Sequence, residues 1–147
     1  MKMQLTSMLI LMGASLSMFT GCKKEHEACD TTVIETFTTK TVNKDGTVTF
    51  TGTFNATGGI NTSGTDVMNT TLTTDSSHCI VVLTDAFGSF TTHQDCNRAN
   101  MTGHWVIVSG TGVYTFLHGS GPLTMMFPPD VPTGVQVIET ETGKTRL

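Results

Sequence analysis

The segment TVTFTGTF, residues 47–54, decides the fold class of this chain. Val48, Phe50 and Phe54 share one face of this segment and Thr residues the other, which is the period-two pattern of a half-buried β-strand. The preceding residues 43–46 read Asn-Lys-Asp-Gly, and an Asp-Gly pair allows the positive φ angles of a tight hairpin turn. We therefore predict an antiparallel hairpin whose first strand covers residues 33–40.

Further segments of similar length follow, separated by turn residues. Thr and Gly dominate the composition, and helix-forming residues are sparse. Glycines within the strands, such as Gly52 and Gly121, favour a barrel, because the strands of a small barrel bend sharply. We predict an all-β domain over residues 33–147, a single antiparallel β-barrel of about eight strands. Besides the first two, the predicted strands include residues 65–73, 78–84, 104–109, 119–127 and 134–142, and Pro128, Pro129 and Pro132 separate the last two.

Two of these strands, residues 78–84 and 104–109, are apolar on both faces. Such a pattern predicts a strand that is covered on both sides. One face would fill the barrel interior. The other would then meet a loop, the N-terminal segment or another subunit.

The N-terminal residues predict a cleaved lipoprotein signal peptide. Lys2 precedes an apolar run at residues 8–19, which is shorter than the stretch of about 20 residues that a spanning helix needs. The run leads into Phe19-Thr20-Gly21-Cys22, which resembles a lipobox, with Phe19 where Leu is usual. An ordinary secretory leader and a permanent helical anchor are the alternatives. We predict a signal peptide at residues 1–21, lipid attachment at Cys22, and a tether at residues 22–32.

The charges restrict location and partners. The segment Lys23-Lys24-Glu25-His26-Glu27 resembles the export signal of Bacteroidetes-type lipoproteins, so we expect an outer-membrane protein, either exposed on the cell surface or facing the periplasm. The net charge is -4, and Lys23-Lys24 is the only basic run after the leader. We therefore expect no nucleic-acid partner.

Three cysteines follow Cys22, and an odd number leaves at least one of them without an intramolecular partner. If residues 86–89 form a hairpin loop, Cys79 lies directly opposite Cys96, and an oxidising compartment would preserve a disulfide between them. Two free buried thiols are the alternative, and the partner of Cys29 stays open. A metal site at His78, Cys79, His93 and Cys96 is disfavoured, because this register points His78 and Cys79 to opposite faces and separates His78 from His93.

The most distinctive run is GHWVIVSGTGVYTFLHGSG, residues 103–121. It contains an apolar strand, a Gly-Thr-Gly turn, a corner anchored by Tyr114 and Leu117, and a glycine-rich entry into the next strand. It resembles the corresponding pattern of the allene oxide cyclase and dirigent-like barrels, including their uncharacterised bacterial members. This resemblance implies an eight-stranded antiparallel barrel, often trimeric, with an apolar cavity for a small molecule. It rests on framework residues, which specify a fold and not its chemistry.

Three functions are compatible with these observations. The first is binding of a small hydrophobic ligand without any cofactor, and the second is a shape-directed isomerase or cyclase in which Tyr114, His104 or His118 supplies a polar group. The third is a structural or adhesive surface protein. Glu139 and Glu141 are interpreted as a solvated strand face and not as an acid-base pair, so no catalytic residue is assigned. The ligand-lining candidates, which a filled barrel would bury equally well, are Phe50, Phe54, Val81, Leu83, Trp105 and Ile107.

Overall fold

The structure is a computed structural model that describes residues 30–126 and 132–147. The predicted signal peptide, Cys22, Cys29 and most of the proline-rich segment lie outside the described residues. Within these described ranges, no helix has the length and apolar content needed to cross a membrane.

The described residues form a closed antiparallel barrel of eight strands, in which each strand pairs with its neighbours in sequence and β8 returns to pair with β1. This confirms the predicted fold class. A short 3-10 helix, Gly112–Tyr114, joins β6 to β7. The strands are β1 (Asp30–Val42), β2 (Val48–Gly58), β3 (Thr62–Leu72), β4 (Ser76–Thr84), β5 (Ser89–Asn97), β6 (Thr102–Gly110), β7 (His118–Met126) and β8 (Gln136–Arg146).

Most strand boundaries differ from the predicted ones by a few residues. Strand β1 begins at Asp30, so the last part of the predicted tether belongs to the barrel. Ser63 and Gly64, predicted as loop residues, lie within β3. The hairpin turn before β2 is confirmed, and Gly46 adopts the expected positive φ of 85°.

The in-strand glycines allow the barrel wall to bend. A Cβ atom at Gly52 would lie 2.0 Å from the carbonyl oxygen of Phe37, and one at Gly121 would lie 2.0 Å from that of Thr142. Any larger side chain would push neighbouring strands apart at these positions. The predicted role of both glycines as bending points is consistent with this close approach.

The two ends of the barrel differ. We call the end that carries the β2–β3, β4–β5 and β6–β7 connections the plugged end, because Ile60, Tyr114 and Leu117 are buried there. The ring of Tyr114 contacts Phe90 edge-on, at a centroid distance of 5.2 Å. We call the opposite end, with the β1–β2, β3–β4 and β5–β6 connections, the cleft end.

The outer faces of β4 and β6 are not covered by the described residues. Ile80, Val106 and Val108 all remain exposed on these faces. Covering by a loop, one of the three predicted possibilities, is therefore not seen within residues 30–126 and 132–147. Covering by the N-terminal segment or by another subunit, including the trimer implied by the resemblance, stays a prediction.

Candidate functional site

The cleft end contains an apolar opening into the barrel. Val48, Phe50, Leu72, Met101 and Met125 supply most of its apolar lining. Polar residues, among them Lys40 and Arg98, line the same opening, and Arg98 donates a hydrogen bond to the carbonyl oxygen of Thr73 at 2.6 Å. The cavity volume is about 30 Å³, which is the space of one or two water molecules.

The six predicted ligand-lining residues are all buried in one interior core. Phe50 lies at the cleft. Phe54 packs edge-on against Phe90 at a centroid distance of 6.0 Å, towards the plugged end. The structure thus places these side chains inside the barrel, where they fill much of it. Of the six, Phe50 alone lines the cleft.

Below the cleft, the barrel interior holds three carboxyl groups, which we call the carboxyl cluster: Asp66 on β3, and Glu139 and Glu141 on β8. Both glutamates are completely buried. Gln94 on β5 joins them, because its side-chain nitrogen donates a hydrogen bond to Glu139 Oε1 at 2.7 Å and another to Glu141 Oε1. The interpretation of Glu139 and Glu141 as a solvated face was wrong.

Burial controls the ionisation of this cluster. It raises the pKa of Glu139 to about 8, with a smaller increase from the nearby Asp66 carboxylate and an opposing decrease from the Gln94 hydrogen bond. Burial, reinforced by Glu139, raises the pKa of Glu141 well above its usual range. Burial also raises the pKa of Asp66 to about 6. The buried polar side chains in the described part of the chain include no Lys, Arg or His, so no buried cation offsets the cost of ionising either glutamate, and Glu139, with a pKa of about 8, is mainly protonated at neutral pH.

Several buried polar atoms of this region make no hydrogen bond. Gln94 Oε1, Glu139 Oε2 and Glu141 Oε2 are among them, together with both carboxyl oxygens of Asp66. The hydroxyl oxygens of Thr36, Thr38 and Thr92 are also buried without a hydrogen-bond partner. Buried polar groups are normally paired, so an interior with this many unpaired donors and acceptors has the character of a functional site more than of a structural core.

The strand register connects the cleft to the carboxyl cluster. Met125, which lines the cleft, is paired with Glu139 across β7 and β8. Met68 lines it too and lies two residues from Asp66 on the same face of β3. Gln94 is paired with Cys79, another cleft residue. The polar layer therefore forms the floor beneath an apolar opening.

The predicted register of the β4–β5 hairpin was wrong by two residues. The loop is Asp85–Gly88 instead of residues 86–89, so Cys79 is paired with Gln94, and Cys96 with Ser77. Asp85 explains the shift, since its carboxylate accepts hydrogen bonds from the backbone amides of Phe87 and Gly88 and closes the turn one residue earlier. Both thiols are buried and free in the structure, instead of forming the predicted disulfide.

The four histidines within the described ranges lie outside the interior. His78 contacts the carboxylate of Asp95 on the exposed outer face, and His93 is paired with Ile80, closer to His78 than the predicted register implied. Among the described residues, no group of three His, Cys, Asp or Glu side chains has a metal-binding arrangement.

The residues suggested as a polar group for catalysis do not reach the cleft. His104 and His118 are exposed. Tyr114 is buried, but it belongs to the plugged end and donates a hydrogen bond to Asp85. The polar groups near the cleft are instead those of the carboxyl cluster and Gln94.

Sequence reasoning missed this cluster because β8 is ambiguous. Val137, Glu139 and Glu141 share one face, whereas Ile138 lies on the other. Either face could have pointed inward, and charge usually points outward. The available signal was the apolar residue Val137, which lies on the same face of β8 as Glu139 and Glu141 and favoured burial of that face.

Comparisons of this chain with models of protein families, with curated proteins and with solved structures give no match.

Proposed function

We propose that this protein is a lipid-anchored outer-membrane lipoprotein, displayed on the cell surface, whose barrel binds one small, mainly apolar ligand at the cleft end. The observation that carries this proposal is the asymmetry of the barrel. One end is plugged by Ile60, Tyr114 and Leu117, whereas the other opens into an apolar cleft above buried, unpaired polar groups. Small-molecule sites combine an apolar lining with a few placed polar groups in this way.

The size of the cleft requires side-chain movement on binding. Three methionines, Met68, Met101 and Met125, line it. Methionine side chains are flexible and adapt to irregular shapes. Their movement would lengthen the cleft toward the carboxyl cluster, where a polar group of the ligand can pair with Gln94 Oε1 or with a protonated glutamate.

The location rests on the leader sequence. The lipobox-like residues 19–22 and the charged segment after Cys22 favour a lipid-anchored protein that is exported to the outer membrane. Mass spectrometry of the protein from bacterial membranes, before and after removal of acyl chains, tests lipid attachment at Cys22. An unmodified chain that begins at Met1 would contradict it.

A second candidate, a shape-directed isomerase or cyclase, is favoured by one observation. Burial raises the pKa of Glu139 to about 8. A general acid or base works best when its pKa lies near the pH at which the enzyme operates, and a pKa of about 8 is close to neutral pH. Glu139→Gln separates the two functions. An enzyme would convert its bound ligand into a product, and the variant would bind the ligand without converting it. A binding protein would release the ligand unchanged from both the wild-type chain and the variant.

Ligand binding is tested with the mature chain, residues 22–147 with Cys22→Ser, which contains all eight strands. Native mass spectrometry beside a denatured sample detects a ligand retained from the cell. Titration with decanoate and decanol by calorimetry then measures binding of apolar probes. We expect saturable binding of at least one of them.

A matched pair of variants locates the site. Leu72 and Ile80 are exposed to nearly the same extent, 47% and 48%, but Leu72 lines the cleft and Ile80 faces outward from β4. Leu72→Glu should weaken probe binding about tenfold or more, since it brings a charge into an apolar lining, and Ile80→Glu should leave binding unchanged. Equal effects of both changes, or a protein that binds neither probe and retains no ligand, would contradict the proposal and favour a structural or adhesive role.

A further inference from the structure

The most exposed apolar side chains of the barrel are gathered at one end. Among the large apolar residues in the described ranges, the four with the greatest exposure are Phe116 at 77%, Phe87 at 67%, Leu147 at 65% and Val113 at 58%. All four belong to the plugged end, on the β4–β5 loop, the β6–β7 connection and the chain terminus after β8. We call them the end cluster.

Local structure fixes the positions of these side chains. The β4–β5 loop is held by hydrogen bonds from the Phe87 and Gly88 amides to Asp85. The Val113 amide donates to the carbonyl oxygen of Phe87 at 3.3 Å, which joins this loop to the 3-10 helix. Phe116 lies two residues after the end of that helix, and its neighbour Leu117 is buried in the plug. The turn that buries Leu117 therefore presents Phe116 to solvent.

The chain enters the barrel at this same end. Strand β1 begins there at Asp30, and residue 22, the predicted lipid attachment site, lies eight residues earlier. A fully extended chain covers about 3.3 to 3.6 Å per residue, so eight residues can span at most about 29 Å between a lipid-bearing Cys22 and the plugged end. A lipid anchor at Cys22 would therefore attach the barrel to the bilayer from the plugged end, where the end cluster lies.

We propose that the end cluster docks on the phospholipid bilayer, with Phe87, Val113 and Phe116 inserted at the boundary between head groups and acyl chains. Aromatic side chains are enriched at this boundary, and a lipid chain combined with a second apolar contact gives more stable membrane attachment than one chain alone. The cleft end then points away from the membrane into the surrounding medium. This inference rests on the lipid anchor of the proposed function, and not on its ligand.

The test attaches the mature chain to vesicles independently of natural lipidation. Cys29→Ser leaves Cys22 as the thiol for coupling to a maleimide lipid, since Cys79 and Cys96 are buried. The vesicles consist of phosphatidylcholine with brominated acyl chains, which quench tryptophan fluorescence on contact. Trp105, the only native tryptophan, is completely buried and gives the background.

Two tryptophan substitutions report on the two ends of the barrel. We expect the added fluorescence of Phe116→Trp to fall about twofold or more on brominated vesicles, whereas that of Leu72→Trp at the cleft end stays unquenched. Adding Phe87→Ser and Val113→Ser to Phe116→Trp should restore most of its fluorescence. Unchanged Trp105 emission and far-ultraviolet circular dichroism verify folding.

Absent quenching of Phe116→Trp, or equal quenching at both ends, would overturn the docking proposal. Because coupling replaces the natural lipid, that result would not bear on lipidation at Cys22. The mass spectrometry described above tests lipidation separately. Decanoate titration of the lipid-free Cys22→Ser chain, without vesicles, reports separately on ligand binding. Failure of docking and failure of the proposed function are thus distinguishable.

Discussion

Gln94 donates a hydrogen bond to Glu139 across 2.7 Å inside the closed barrel, and its second amide hydrogen reaches Glu141. One neutral side chain on β5 thereby connects two fully buried carboxyl groups on β8. This connection spans the barrel interior, since β5 and β8 are not neighbours in the sheet.

Replacing Gln94 should therefore destabilise the fold. Gln94→Leu keeps a similar volume but leaves both glutamates without their donor, so we expect a loss of about 1 to 3 kcal/mol in the free energy of unfolding, measured with urea. The matched control is Thr92→Val, two residues away on the same face, which removes a buried hydroxyl that has no partner. Thr92→Val should be neutral or stabilising. A larger loss for Thr92→Val than for Gln94→Leu would contradict the role of Gln94.

The raised pKa values predict that stability falls as pH increases. A carboxyl whose pKa is higher in the folded than in the unfolded chain binds its proton more tightly when folded, so the free energy of unfolding is highest at low pH. It should decrease between about pH 4.5, the ordinary value for glutamate, and about pH 8, the value for Glu139, with a contribution from Asp66 up to about pH 6.

The experiment is urea unfolding at several pH values in that interval. A single linked proton contributes a slope of up to about 1.4 kcal/mol per pH unit. The variant Glu139→Gln/Glu141→Gln should flatten the curve. Glu35→Gln, on the outer face of β1, should reproduce the wild-type curve. A wild-type stability that does not fall over the interval would contradict the raised pKa values, and would mean that these groups ionise in the folded barrel much as they do in the unfolded chain.

We expect the hydroxyl of Tyr114 to stabilise the plugged end of the barrel. Its hydroxyl donates a hydrogen bond to Asp85, which also accepts from the Phe87 amide at 2.7 Å. Burial acts to raise the pKa of Asp85, but the hydrogen bonds from Thr62, Tyr114 and the loop amides outweigh it and lower the pKa. Tyr114→Phe should cost about 1 to 2 kcal/mol. In a double-mutant cycle with Asp85→Asn the two losses should not add; additive losses would mean that the pair is not coupled.

Adding a single methyl group at Gly121, where the barrel wall bends, should strongly destabilise the fold. Gly121→Ala places a Cβ atom 2.0 Å from the Thr142 carbonyl oxygen, so the strands must separate, at a cost of about 3 kcal/mol or more. Gly134 has a positive φ of 86° but open space around it, and Gly134→Ala should cost only about 1 kcal/mol. Thermal unfolding of both variants measures the difference. Similar melting temperatures would contradict the close approach at Gly121.

The two core cysteines should be reduced and unreactive in the folded protein. Burial raises the pKa of Cys79 to about 11 and that of Cys96 to about 12, which leaves little thiolate at neutral pH. Iodoacetamide should leave both unmodified in the folded chain purified without reductant, and alkylate both after unfolding. Absence of alkylation after unfolding would instead reveal the disulfide that the sequence predicted.

The sequence by itself determined the β-barrel. The alternation in residues 47–54, the turn at Gly46 and the glycines at 52 and 121 depend on local backbone preferences, and local preferences are readable from neighbouring residues. The inward direction of Phe50 follows from the same alternation, because only one face of its strand is apolar. Strand ends and the β4–β5 register were less certain, because a two-residue shift keeps every side chain on its predicted face.

Only the tertiary structure decided the contents of the barrel and the difference between its ends. Asp66, Gln94, Glu139 and Glu141 come from three strands that are not adjacent, and closure of the sheet brings them together. A period-two pattern states that a residue alternates, but not which face becomes the interior. Closure of the barrel decides this, because it places one face of every strand in the interior. On β8 that face carries Glu139 and Glu141, which therefore lie at the centre of the candidate site.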